Sequence, residues 1–142
     1  MSLTLDAAQL IIAKIFEHRK ANGMKPLGAV IMDIRGVVKA AAIEDGSSLG
    51  RYEIASGKAR AAIYFNMGTR ALEKFAISKP HFVQGAMSAI PDGLIPLPGG
   101  VLIRDKDGTI IGSVGSSGDT ADNDELAALA GITAAGFVGD SG

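Results

Sequence analysis

His18 and His81 are the two histidines of this 142-residue chain, and imidazole is the side chain whose charge changes near neutral pH, so both are candidates for a general base or a nitrogen ligand. His18 falls at the edge of an apolar helical stripe, one turn beyond Lys14 and two turns beyond Ile11. That rim position would present its ring to a ligand at a subunit boundary, or simply to water. His81 follows Pro80 and precedes Phe82, a setting that suits a pocket wall or a loop surface. Arg51 and Lys58 stand seven residues apart on one predicted helix, hence on one face, adjoining Ile54 and Phe65. Two cations beside an aromatic ring are suited to hold carboxylates, and the alternative is that both extend to water over an apolar patch.

Glycine supplies a second kind of candidate. Pro96-Leu97-Pro98-Gly99-Gly100 joins fixed backbone angles to two residues, Gly99 and Gly100, that allow another chain or a ligand to come close. Gly115-Ser116-Ser117-Gly118 leads into the last predicted helix, whose first N–H groups could meet an anion. A phosphate cradle is disfavoured, because no Gly-Lys-Ser/Thr ending follows and Asp119, Asp122, Asp124 and Glu125 already bring negative charge. Asp122 and Glu125 have the spacing of a capping box, with aspartate as the cap. Ser116, Ser117 and Thr120 remain as hydrogen-bond donors to a ligand. Two distant histidines and scattered carboxylates give no metal-ligand spacing, Asp105-Lys106-Asp107-Gly108 reads as a hairpin turn, and no serine sits in a nucleophile-elbow pattern.

The elements that must position these groups follow from periodicity. Thr4 is a suitable cap for a first helix in which Leu5, Ala8, Ile11, Ile12, Ile15 and Phe16 share a face, and Asn22-Gly23 stops it. Residues 27–34 and 37–43 read as a hairpin, residues 49–67 as a second helix, and residues 69–77 as a short third helix capped by Thr69. The second helix is apolar on two sides, with Tyr52, Ala55, Ala59 and Ala62 on one and Ile54, Ala61 and Phe65 on the other. It is therefore expected to lie between the sheet and a partner subunit or ligand. Residues 79–100 hold four of the prolines and read as a long apolar loop, of the kind that carries function. A second hairpin over 101–104 and 109–116 and a last helix from about Asp122 to before Gly139 complete the chain. Hairpins imply an antiparallel sheet of four or five strands covered by helices.

Composition narrows the function classes. The length suits one domain spanning 1–142, and the absence of cysteine removes disulfides, thiolate metal sites and thiol nucleophiles. Fourteen basic and fifteen acidic residues, with no block of one sign, offer no footprint for nucleic acid. No apolar run is long enough to span a membrane and no signal-peptide pattern opens the chain, so a cytoplasmic location is expected. With 47% apolar and 20% charged residues, apolar surface is expected to exceed what one domain hides, which points to self-association.

Ser56-Gly57-Lys58-Ala59, Leu97-Pro98-Gly99-Gly100-Val101 and the run from Ile111 through Gly112, Ser113, Val114, Gly115, Ser116 and Ser117 to Gly118 occur in an order that resembles the GlcG/HbpS-like family. That family also occurs as the C-terminal domain of PduO-type corrinoid adenosyltransferases. Leu3-Thr4-Leu5 and Asp122-Asn123-Asp124-Glu125-Leu126-Ala127 extend the resemblance over nearly the whole chain. The resemblance implies an α/β fold of α+β type, a profilin-like α/β/α sandwich that assembles as a dimer or larger homo-oligomer, and haem binding in several members. The first functional expectation is thus a protein binding haem or a related carboxylated tetrapyrrole. Arg51 and Lys58 would hold propionates, His18 would ligate iron, and Phe65, Phe82, Met87 and the Pro98-Gly99-Gly100 segment would form walls, with Ser117 and Thr120 as donors. A second is an enzyme of catabolism acting by proton transfer on a small organic acid, a tautomerase, isomerase or hydrolase with His18, Lys58 or His81 as base and no metal. A third is an oligomeric scaffold without a ligand.

Overall fold

The computed structural model describes residues 2–142. Helix α1 (Leu5–Ala21) starts where the Thr4 hydroxyl accepts a hydrogen bond from the Ala7 N–H, and its last turn carries His18, Arg19 and Lys20 against the negative end of the helix dipole. Strands β1 (Gly28–Asp33) and β2 (Val38–Ile43) form the first hairpin, turned by the Asp33 carboxylate, which accepts from the N–H groups of Arg35 and Val37. Helix α2 (Arg51–Phe65) ends at Asn66 in a left-handed conformation. Helices α3 (Thr69–Ser78) and α4 (Pro80–Ala89) follow, then β3 (Gly100–Arg104), β4 (Ile110–Ser117), α5 (Ala121–Ala134) and β5 (Val138–Asp140).

The strands form one antiparallel sheet in the order β2-β1-β4-β3-β5. Its two faces are covered by different helices. Ala29 and Ile31 of β1 join Val101 and Ile103 of β3 in the main core beneath α1 and α5, with Ile11, Ile15, Ala128 and Ile132. The alternate residues Val30 and Met32 pack on Ala55 and Ala59 of α2, and Leu102 packs on Ala62 and Ile63. A sheet buried on both sides needs apolar residues on both sides, which is why β1 and β3 read as continuous apolar runs. The α/β/α sandwich around an antiparallel sheet is therefore present, with five strands.

Three local expectations are corrected and one strand is added. Residues 79–100 are not a continuous loop: Pro80 opens α4, a position where its missing N–H has no helical partner to lose. The last helix stops at Ala134, Gly136 turns the chain with φ 91°, and β5 adds to the β3 edge. Thr69 does not cap α3, for its hydroxyl accepts from the Gly100 N–H at 2.8 Å and donates to the Gly100 carbonyl at 3.2 Å, tying α3 to β3. The cap of α5 is Thr120, which accepts from the Asn123 N–H, and Asp122 lies inside the helix.

Candidate functional site

Lys58 lies on the side of α2 turned toward the end of the sheet. Its ammonium donates to the Ser116 carbonyl at 3.0 Å and pairs with Asp124 of α5 at 3.0 Å, both side chains being only 3% exposed. The other oxygen of Asp124 accepts from the Asp119 N–H. Burial pushes the Lys58 pKa down and the Asp124 pKa up, and the attraction between them opposes both shifts without cancelling them. The joint is closed: a Cβ on Gly99 would come within 2.8 Å of the Lys58 Nζ, and Gly100 faces the Lys58 carbonyl. Pro98, Gly99 and Gly100 are buried here, so this segment is where the chain crosses α2 rather than the wall of an open cleft. Arg51 is half-buried at the start of α2 and donates to the Ser117 hydroxyl at 2.9 Å. The double cation expected from Arg51 and Lys58 is thus divided, because Lys58 is committed to a carboxylate 66 residues away.

The acidic start of α5 is likewise occupied. Arg70 of α3 holds Glu125 at 2.9 Å and Asp122 at 2.6 Å, and these partners raise its pKa. The capping-box pair therefore serves as a two-pronged anchor for α3. Asp119 accepts from the N–H groups of Lys25 and Thr120 and from the Asn123 amide, each at 2.8 Å. These bonds bring its pKa from 3.8 down to about 2, with the Lys25 N–H contributing most. A depressed carboxylate stabilises the fold above its ordinary pKa, and that contribution is lost as pH falls through the depressed value. Asp119→Asn should therefore flatten the decline of stability between pH 4 and 2, followed as a urea midpoint against pH. An unchanged slope would contradict the hydrogen-bond assignment.

At the other end of α2 the structure gathers Phe65, Phe82 and His81. With Met67, Leu72, Phe75 and Lys79 they line a pocket of about 440 Å³ between α2, α3 and α4. Phe82 meets Phe65 at 6.0 Å and Phe75 at 6.2 Å between ring centroids, in edge-on and tilted geometry. Met87 packs behind, in the cluster of Ala61, Leu72, Val83 and Leu94. The second apolar side of α2 is thus covered by this chain's own α3, α4 and following segment. Residues 90–98 cross the helix at Gly57, where the Ile95 N–H donates to the Gly57 carbonyl at 3.2 Å and Arg60 donates to the carbonyls of Asp92 and Gly93.

His18 lies on the opposite side of the sheet, half-buried in a groove of about 250 Å³ between α1 and α5 lined by Lys14, Glu17, Ala21, Asn22, Ala130 and Ala134. Its Nδ1 is 3.4 Å from the Asn22 amide nitrogen. Lys58 meets the first turn of α5 whereas His18 lies beside Ala130 and Ala134 at its end, so His18 and the α2 cations of one chain do not reach a common ligand. Arg51 and Phe65 are also apart, at opposite ends of a helix about 20 Å long. Thr120 is engaged as a helix cap and Ser117 by Arg51. The Lys58–Asp124 lock was missed because spacing along one helix does not show a partner on another. Its one local signal is that Asp124 shares a helical face with Ala121, Ala127 and Ala128. Among the described residues no three His, Cys, Asp or Glu side chains cluster to hold a metal ion, and no helix is long and apolar enough to cross a membrane.

Comparison with known proteins places this arrangement. No curated protein sequence matches the chain with significance. Among solved structures, a PduOC:haem complex superposes with TM-score 0.85 at 22% identity, covering 96% of this chain and 97% of that one. A double mutant of Streptomyces reticuli HbpS gives TM-score 0.81 at 27% identity, covering 94% and 87%. The Klebsiella pneumoniae protein ORFY gives TM-score 0.82 at 22% identity, covering 93% and 89%. A family model described as haem degrading protein HbpS-like matches residues 3–133, and with nearly the whole chain so matched, this protein belongs to the HbpS-like family.

Proposed function

We propose that the protein binds haem, or a closely related carboxylated tetrapyrrole, in the groove between α1 and α5, with His18 as the ligand to iron and a second copy of the chain closing the site. The carrying observation is the local chemistry of that groove: a half-buried imidazole beside a ledge of small side chains, Ala21, Ala130 and Ala134. Small residues let a flat macrocycle lie close to the helices. Lys14 supplies a cation for a propionate, since its present partner Glu17 is an exposed, weakly held neighbour. Bound haem would contribute a redox-active iron, while this chain contributes the imidazole, the ledge and the cation. Membership in the HbpS-like family and the likeness to a haem-complexed PduOC fold support the reading.

Two observations favour a shared site in a dimer or larger homo-oligomer. The groove is too small to enclose a four-pyrrole ring, so half of the ligand would face water in a lone chain. The same helix faces also carry exposed leucines, for Leu10, Lys14 and His18 form one stripe of α1, and Leu126, Ala130 and Ala134 one stripe of α5. Leu10 is 43% exposed and Leu126 is 53% exposed, an arrangement a second copy would cover.

Titration with hemin followed by absorbance tests the proposal. Wild-type protein and His81→Ala should both show a saturable Soret band, and His18→Ala should bind roughly tenfold more weakly or worse, through loss of the axial ligand. Loss of binding in His81→Ala with retention in His18→Ala would overturn the choice of groove. Absence of saturable binding in the wild type would overturn the function.

A further inference from the structure

We propose that the pocket between α2, α3 and α4 is a second ligand site, selective for a small monocarboxylate with an aromatic or short alkyl tail. It lies across the sheet from His18 and does not depend on the haem reading. Its floor is the buried Leu72, and its walls are the rings of Phe65, Phe75 and Phe82. Phe82 touches both neighbouring rings and is still 45% exposed, while Phe75 is 41% exposed. Exposed rings facing a concave space leave an aromatic face for one further ring to pack against. A volume of about 440 Å³ accommodates one or two rings.

Charge selects the head group. The ionisable residues lining the pocket are Lys79 and His81, both exposed and so at its mouth, and no carboxylate lines it among the described residues. Neither side chain has a hydrogen-bond or ion-pair partner among those residues, in contrast to Lys58, Arg70 and Arg104, each of which is paired with a carboxylate. An ammonium and an imidazole, both free to donate above an apolar slot, complement one anionic oxygen pair on an apolar tail. A neutral ligand would leave that capacity unused, and a dianion would carry a second charge onto an apolar wall.

The test uses the full chain labelled with ¹⁵N, titrated with 4-phenylbutyrate and, separately, with its neutral counterpart 4-phenylbutanol. The acid should produce saturable amide shifts confined to residues 65–83, with roughly tenfold tighter binding than the alcohol. Lys79→Met should remove most of that tenfold preference while leaving the affinity for the alcohol unchanged, a result that a merely structural lysine would not give. Equal affinity for acid and alcohol, non-saturating shifts, or shifts centred on the α1/α5 groove would overturn the proposal. So would concentration-dependent shifts of the same amides without ligand, which would assign the pocket to contact between copies of the chain.

Discussion

Lys58→Met is expected to destabilise the fold by about 3–5 kcal/mol, because it leaves the Asp124 carboxylate buried and unpaired. The cause is desolvation: with both groups 3% exposed, neither charge is stabilised by water when its partner is removed. The pKa directions carry the same message, since burial pushes Lys58 down and Asp124 up despite their mutual attraction. The pair is then a lock that fixes α2 against α5 more than a source of net stability. Adding Asp124→Asn to Lys58→Met should accordingly recover at least half of the loss, because the amide removes the orphaned charge and keeps an acceptor for the Asp119 N–H. Chemical denaturation of the single and double variants measures this. A single-variant cost below about 1 kcal/mol, or a double variant worse than the single, would contradict a desolvated pair.

Gly115→Ala should cost about 3 kcal/mol or more, at the upper end of what one methyl group does in a packed core. The added Cβ would land on the Ala55 carbonyl oxygen and within 2.8 Å of the Ala59 nitrogen, so it meets helix backbone rather than a side chain able to turn away. Helix α2 sits on β4 at a distance only glycine permits, and the same approach lets the Ser113 hydroxyl reach the Ala59 carbonyl at 2.8 Å. Gly85 of α4 is the internal control, since a Cβ there meets nothing within 4 Å and alanine should gain up to about 1 kcal/mol of helix propensity. Thermal or urea melts of the two variants should move in opposite directions. A neutral Gly115→Ala would mean that α2 and β4 are less tightly apposed.

Most of the fold was legible because its signals are local. The Thr4 cap, the periodic face of α1 and the turn residues Asp33 and Gly36 each act within a few positions, and so place α1 and the first hairpin. What escaped depends on context. Pro80 sits in a proline-rich stretch that reads as a loop, yet at the first position of α4 it costs no helical bond. Strand β5 is three residues long, too short for an alternating pattern, and exists because Leu102 and Arg104 offer it an edge to pair with. Both apolar sides of α2 show in its sequence, and the second packs against α3, α4 and the crossing at Gly57. Of the site residues, His81, Phe65 and Phe82 meet in one pocket, whereas His18 lies in a groove that neither Arg51 nor Lys58 lines. Helical spacing puts side chains on one face but does not say whether that face meets water, sheet or an opposite charge.

The shared His18 groove is the central claim, and sedimentation velocity followed at the Soret wavelength tests it most directly. With hemin added near the wild-type Kd, the Soret absorbance should move with a dimer or larger assembly and should fall severalfold at that boundary in His18→Ala. Soret absorbance moving with a monomer, or remaining on the assembly in His18→Ala, would contradict it.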